Sequence, residues 1–481
     1  MNMKRRDFVK SAVAIAATSQ MPRSLHGLTS AQQVEIAIHT ERPGLTVPAD
    51  FTGLSYESAQ LAHPQFFSPA NHELVGLVKR LSPEGVLRIG GNTSEFTVWT
   101  PQAGASADRS FAEPPSAGKN TAESYAITPE SVRNLRGFLD ATGWRLIYGL
   151  NLARGTPQAA ADEAAFVVKT MGDKLVALQF GNEPDLFHYH ADPANNSAWT
   201  FQEYAEKWLQ FEKAVRARLP HVPLAGPDAA YRMDWVTQFA DQMRGKVQLL
   251  TGHYYIGGPP SNPDMNIAAL MTPPRHLLEE IPQTMAAAKV AGVPYRMAEG
   301  NSCYQGGKLG VSDTFASALW VGDYMLQLAQ AGYAGVNLHG GGEGKYTPIA
   351  TDAKGSNSAR PEYYGILLAQ MFAGAQFVAC DVKAAGANVT AYAAQKDGKA
   401  LLAVFNKQAE PVNLRVQSLW PQDASKPELW WLRAPSVDSK TGVTLAGSTV
   451  DSIGGFKAMP VPAEKPGSFT MGPYTAVLVR D

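Results

Sequence analysis

Residues 175 to 187 read LVALQFGNEPDLF, an apolar run from Leu175 to Phe180 that stops abruptly at Gly181, Asn182, Glu183 and Pro184. A short apolar run bounded by Gly and Pro has the length of a buried parallel strand and is too short for a free-standing helix. Glu183 therefore sits where a buried strand ends. In a barrel or an open α/β sheet, catalytic groups gather at that carboxyl edge, because a rigid element holds the side chain beside a cleft. Asn, Glu and Pro are also common in turns, so the tripeptide alone equally describes an acid that caps a loop. A second acid in matching context changes the balance. Tyr295, Arg296, Met297, Ala298 and Glu299 follow a helix-like stretch from Arg275 to Ala291, and Glu299 opens into a Gly-containing loop. It too ends a strand, and two strand-end glutamates suggest a carboxylate pair.

Outward from this pair, strand and helix patterns alternate. Phe51 to Glu57, Val86 to Ile89, Arg145 to Leu152, Val222 to Pro227, Val247 to Tyr255 and Gly335 to His339 read as further strands. Helical periodicity marks Glu73 to Leu81, Pro129 to Ala141, Gln158 to Met171, Phe201 to Leu219, Trp235 to Met243, Asp313 to Ala331 and Tyr363 to Phe372. Eight strand-helix units predict an α/β fold, a (β/α)8 TIM barrel over residues 51–373. Beyond Ala373 short strands separated by Gly, Pro and Asp predict a C-terminal β-sandwich over 374–481. Residues 32–50 contain an alternating strand, Val34 to His39, with no place among the eight units; it is expected to cross over and complete the sandwich. Two long polar loops, Gln102 to Ala122 and Gly340 to Arg360, follow barrel strands and would overhang the face that carries the acids.

The 481-residue chain has a formal net charge of −1, so nothing in its balance suggests a polyanion-binding surface, and no nucleic-acid partner is expected. Its two cysteines, Cys303 and Cys380, cannot build a disulfide framework, and no Cys/His spacing resembles a zinc site. No metal and no cofactor is implied. Lys4, Arg5, Arg6, Asp7, Phe8, Val9 and Lys10 form a twin-arginine stretch ahead of a short apolar run, Ala12 to Ala17. That run is well below the ~18 residues needed to span a bilayer. Residues 1–31 are therefore expected to be an export signal for an already folded protein, with no membrane insertion once it is removed, and with a mature protein working in the periplasm or beyond.

Asn182-Glu183 after the fourth strand and Glu299 after the seventh resemble the pattern of clan A glycoside hydrolases. Within that clan LRIGGN, GNEPDLF, GHYY and AEGNSCYQGG followed by VSDTFASALW resemble glycoside hydrolase family 79, the β-glucuronidase and heparanase family. The resemblance covers most of the barrel and the trailing sandwich. It implies Glu183 as acid/base and Glu299 as nucleophile, a pair that retaining enzymes hold roughly 5 Å apart. Asn182 is suited to hydrogen-bond a sugar 2-hydroxyl. Tyr255 matches a position that touches the nucleophile, and neighbouring His253 reads as a satisfied structural histidine. Glu57 and Asn92, closing the first two strands, match residues that hold sugar hydroxyls, and either could instead brace a loop. Trp99, Trp199 and Tyr346 lie near loops, where an aromatic stacks on a sugar or simply packs; of these the resemblance places Tyr346 in the substrate pocket.

Together these residues imply a retaining, exo-acting β-glucuronidase whose partner is a carbohydrate bearing glucuronic acid. Carboxylate selectivity is expected just past the nucleophile, where Tyr304 offers a hydroxyl and Gly306 and Gly307 let amide N–H groups turn toward an anion in a nest. Lys308 would add charge there or remain a solvated surface lysine. Two alternatives stay open. A heparanase-like endo-enzyme would need clustered Arg and Lys along a cleft, whereas the basic residues here are scattered and balanced by acids. A non-catalytic carbohydrate-binding protein could use the same fold, against the retention of both glutamates.

Overall fold

The computed structural model describes residues 31–102, 124–191, 198–341, 344–417, 427–465 and 467–480. The twin-arginine stretch and nearly all of the loop expected at 102–122 lie outside these residues. Gln32–Asp481 forms one compact unit.

Eight parallel strands close into a barrel: Thr52–Glu57, Val86–Gly90, Arg145–Leu150, Leu175–Phe180, Leu224–Ala229, Leu249–Gly257, Tyr295–Cys303 and Gly335–His339. The last pairs with the first through Val336 opposite Thr52 and His339 opposite Ser55. Helices enter from the strands through threonine caps. Thr128, Thr156 and Thr200 accept from backbone amides three residues on, and Thr200 closes a capping box with Glu203. Left-handed Gly143, Gly292 and Gly332 end three helices.

The barrel interior is layered by chemistry. Val86, Ile147, Ala177, Ala225 and Leu249, near the amino ends of five strands, form an apolar floor. Above it the buried residues are polar or charged: Ser55, Arg88, Gln179, Asp228, Thr251, His253, Glu299 and His339. Burying so many polar groups is tolerable only when they satisfy one another, so this upper layer is a hydrogen-bonded network.

The second layer of the molecule is a ten-stranded sheet, hydrogen-bonded continuously as it curls around its own core. Gln32–Thr46 lies inside it, antiparallel to Gln376–Lys383 (Ile36 opposite Val382) and parallel to Val412–Gln417 (Ile36 opposite Val416). The barrel helix Phe315–Ala331 is buried along most of its length and carries Asp323 to Lys407, Thr390 and Tyr392 of the sheet. Among the described residues no helix is long and apolar enough to cross a membrane. Cys303, buried, and Cys380, half-buried, are both free thiols.

Candidate active site

Arg88 organises the site. It is a charged residue in the middle of the apolar second strand and is fully buried on the barrel axis side. Its guanidinium donates to Glu299 Oε2 (2.6 Å), Asp228 Oδ2 (2.5 Å), Asn182 Oδ1 (2.7 Å), Ser55 Oγ (3.2 Å) and Gln179 Oε1 (3.3 Å). One planar fork thus sets the positions of five groups from four barrel strands or strand ends.

Glu299, on the seventh strand, accepts a second hydrogen bond at Oε1 from the Tyr255 hydroxyl (2.7 Å). His339 Nδ1 lies 3.4 Å from Oε2, and His253 Nδ1 lies 3.8 Å from Oε1. Burial alone would push this carboxyl up. The charges of His339, His253 and Arg88, with the Tyr255 hydrogen bond, outweigh burial and hold it well below the usual carboxylate range.

Glu183 follows the fourth strand in a left-handed conformation (φ 49°), with its amide bonded to the Asp228 carbonyl at 2.9 Å. That conformation is uncommon for a residue with a side chain and here turns the carboxylate out of the strand direction. Its Oε1 lies 2.9 Å from His253 Nδ1, and His253 Nε2 lies 3.1 Å from Asp228 Oδ2. His253 is therefore more than the satisfied structural histidine expected from sequence, because it touches the acid directly. Burial opposes its charge, but Asp228, Glu299 and the hydrogen bonds to Asp228 and Glu183 raise it well above the ordinary histidine range. An oxygen of Glu183 and an oxygen of Glu299 lie within 4.8 Å of one another.

The remaining predicted residues divide. Asn182 is fixed from both sides, accepting from Arg88 and donating through Nδ2 to Asn92 Oδ1 at 3.0 Å. An amide NH2 carries two donors, so one hydrogen remains. Glu57 accepts from the amide (2.8 Å) and hydroxyl (2.6 Å) of Thr93, and its Oε1 is 3.7 Å from His339 Nε2. It braces the second loop while facing the site. Gly91, at φ 72°, is required for this approach, since a Cβ there would lie 2.4 Å from the Glu57 carboxylate. Tyr346 is buried with its ring 6.2 Å from that of Tyr255 and 5.9 Å from that of His339, at the same pocket.

The Gly307 amide, expected to take part in an anion nest with Gly306, is taken up within its own loop. The amide of Tyr304 is spent on Gly257 O, that of Gly307 on Cys303 O and that of Lys308 on Ser312 Oγ, while the Gly306 amide faces the Tyr346 hydroxyl. Gly307 instead permits close approach of the Tyr346 loop: a Cβ there would lie 2.6 Å from the Tyr346 amide nitrogen, whereas one at Gly306 would meet nothing within 4 Å. Tyr304 itself is 38% exposed and meets the Tyr255 ring edge-on at 6.4 Å. Lys308 donates to the Asn262 carbonyl at 2.7 Å and so ties two loops together. Trp99 packs on Phe166 and Trp199 on Phe187, outside the site.

Besides Arg88, Asp228 and His339, sequence reasoning passed over Glu95. Fully buried after the second strand, it accepts from the amides of Leu152 (2.9 Å), Ala153 (2.7 Å) and Asn182 (2.9 Å). Burial pushes its carboxyl up to about 7 against these hydrogen bonds. It fastens three strand-end loops together beneath Asn182. Glu183, His253 and Glu299 bring possible ligand atoms close enough for one metal ion. Their lone pairs are committed to one another, to Tyr255 and to a guanidinium 2.6 Å from Glu299, a donor set that fits a further cation poorly.

No family model matches the chain. A β-glucuronidase of Aspergillus niger is 24% identical over 387 residues, which is 72% of this chain and 68% of that protein. A β-glucuronidase of Neurospora crassa is 25% identical over 360 residues, 67% of this chain and 62% of that protein. The chain thus spans about two thirds of the length of these curated relatives. Among solved structures, a 4-O-α-L-rhamnosyl-β-D-glucuronidase from Fusarium oxysporum is similar with a TM-score of 0.72 and 20% identity, covering 92% of this chain and 99% of that one. A GH51 arabinofuranosidase from Xanthomonas axonopodis pv. citri follows with a TM-score of 0.67 and 15% identity, covering 93% and 99%. At these identities the structural likeness is one of fold: a TIM barrel with an accompanying β-sheet domain.

Proposed function

We propose that the protein is a glycosidase, a retaining, exo-acting β-glucuronidase that removes terminal β-linked glucuronic acid by double displacement. The proposal is carried by the pairing of Glu183 and Glu299, whose oxygens approach within 4.8 Å. Retaining enzymes hold their carboxyl groups about 5–5.5 Å apart, whereas inverting ones leave about 6.5–9.5 Å for a water. The two curated relatives supply the glycone, and each is a β-glucuronidase.

Each residue then has a task. Glu299, held ionised by Arg88, His339, His253 and Tyr255, attacks the anomeric carbon. Glu183 gives a proton to the departing oxygen, and since His253 occupies Oε1, the proton travels on Oε2. Water then enters on the face the leaving group vacated; Glu183 takes its proton, and the ester to Glu299 is hydrolysed. Asn182, pinned between Arg88 and Asn92, offers its remaining Nδ2 hydrogen to the 2-hydroxyl. With the Tyr304, Gly307 and Lys308 amides taken up within the protein, the hydroxyl of the exposed Tyr304 is assigned to the uronate carboxylate. The Lys4–Lys10 stretch supports export of the folded enzyme from the cytoplasm.

A panel of nitrophenyl glycosides tests the substrate class. The β-glucuronide should be turned over, and Glu299→Gln should abolish that turnover. Hydrolysis of an α-arabinofuranoside without the glucuronide would overturn the assignment of the glycone.

A further inference from the structure

Among the described residues, three aromatic side chains are exposed: Tyr189 (71%), Tyr231 (59%) and Tyr304 (38%). Every other described Trp, Phe and Tyr is buried or partly so. An exposed ring forgoes the burial that aromatic residues normally gain, and several on one face mark a surface that is covered by something else. All three follow carboxyl ends of barrel strands, the fourth, fifth and seventh. They lie on the face that holds Glu183 and Glu299 and on no other part of the molecule.

They also divide between the two acids. Tyr304 stands edge-on to Tyr255, the residue that holds Glu299, on the nucleophile's flank. Tyr189 and Tyr231 belong to the flank of Glu183. Tyr189 sits in the short helical turn Phe187–His190, which His190 fastens to the acid's own backbone, its Nε2 lying 3.3 Å from the Glu183 carbonyl. The His188 ring backs the Tyr189 ring at 3.9 Å.

The Tyr231 loop is fastened to the same segment from the other side. Asp185, two residues past Glu183 and buried, accepts from the amides of Ala230 (2.9 Å), Tyr231 (3.2 Å) and Arg232 (3.2 Å). The Glu183 amide in turn bonds to Asp228, three residues before Tyr231. A buried carboxylate spent on three loop amides is a device for fixing a loop in place. Here what it fixes is the backbone of a loop that carries an exposed aromatic residue, tied to the segment of the acid that must reach the leaving-group oxygen.

We infer that Tyr189 and Tyr231 form the leaving-group subsite, taking a neutral pyranose ring with its C–H face against the tyrosine rings. The inference rests on the double-displacement reading above, in which whatever Glu183 protonates must lie on its flank. A neutral sugar fits better than a sulfated one, because the nearby Arg232 guanidinium is taken by Asp234 at 2.7–2.8 Å. The enzyme is thereby matched to a glucuronic acid linked to a further sugar.

The test compares kcat/KM on a β-glucuronosyl disaccharide with kcat/KM on β-glucuronosyl fluoride, whose leaving group is a single atom that touches neither tyrosine. Tyr231→Ala and Tyr189→Ala should each lower the disaccharide-to-fluoride ratio, Tyr231→Ala by about tenfold, the size of loss that truncating a buried interface tyrosine produces. Tyr231→Phe, which keeps the ring, should keep the ratio. A ratio unchanged in both alanine variants would overturn the subsite, whether both substrates lose activity alike or neither does. A wild-type enzyme inactive on the fluoride itself would instead refute the glucuronidase reading and take this inference with it.

Discussion

Replacing Arg88 with Met removes the one cation that faces both Asp228 and Glu299 at hydrogen-bonding distance. The contacts measure 2.5 and 2.6 Å, and the guanidinium and Asp228 are wholly buried. With an effective dielectric constant of about 20, unit charges at such separations attract by about 6 kcal/mol per contact. Desolvation of the three groups offsets most of that gross figure. A deletion therefore reads mainly the cost of leaving two buried carboxylates without the guanidinium between them, with His253 and His339 left as positive neighbours, about 3–5 kcal/mol. If charge imbalance is the cause, removing one carboxylate with the cation should restore part of the loss. Arg88→Met combined with Asp228→Asn should then be more stable than the sum of the two single changes by about 1 kcal/mol or more. Urea unfolding at pH 7, followed by tryptophan fluorescence, gives the four free energies of the cycle. Costs that add to within about 0.5 kcal/mol would refute the charge argument and assign the loss to packing alone.

Three further outcomes follow from the same network and from the sequence. His253 is raised above its unfolded value, so its contribution is fully present below about pH 6.5 and is lost as pH rises through the raised folded value; in that window stability should fall by up to about 1.4 kcal/mol per pH unit. His253→Gln should lack this slope, and parallel wild-type and variant curves between pH 7 and 9 would contradict it. Glu183→Ala should spare activity most on substrates with good leaving groups, which need little protonation, and equal loss on good and poor leaving groups would reverse or void its assignment. Changing Arg5 and Arg6 to Lys should trap precursor in the cytoplasm, and unchanged export of the double variant would show that the twin-arginine stretch has been misread.

The barrel was legible because its strands are mostly apolar runs cut off by Gly, Pro and acids, and because most of its helices carry an apolar stripe at helical spacing, Phe315–Ala331 and Pro361–Gln370 being buried nearly all round. Glu183 stood out as the first charged residue after an apolar run, and Glu299 for opening into a Gly-containing loop, although its strand runs on to Cys303. The supporting network was harder to read. Arg88 interrupts Val86–Gly90, and a charge inside a fully buried strand is itself a signal, but nothing local says which carboxylates it serves. Asp228 was hidden by a boundary. Pro227 suggested that the fifth strand stopped there, whereas the strand runs to Ala229 and carries Asp228 into the site. The direction of the Gly307 amide, which points to Cys303 O, could not be read, because Gly-Gly specifies backbone freedom and not where the amides point.

The separation of Glu183 and Glu299 carries the mechanism, and the stereochemistry of the first product tests it most directly. Proton NMR during hydrolysis of a β-glucuronide should show β-glucuronic acid appearing first, with the α anomer growing in only as the sugar mutarotates. Initial release of the α anomer would contradict a covalent intermediate on Glu299, and with it the central claim of double displacement at this pair.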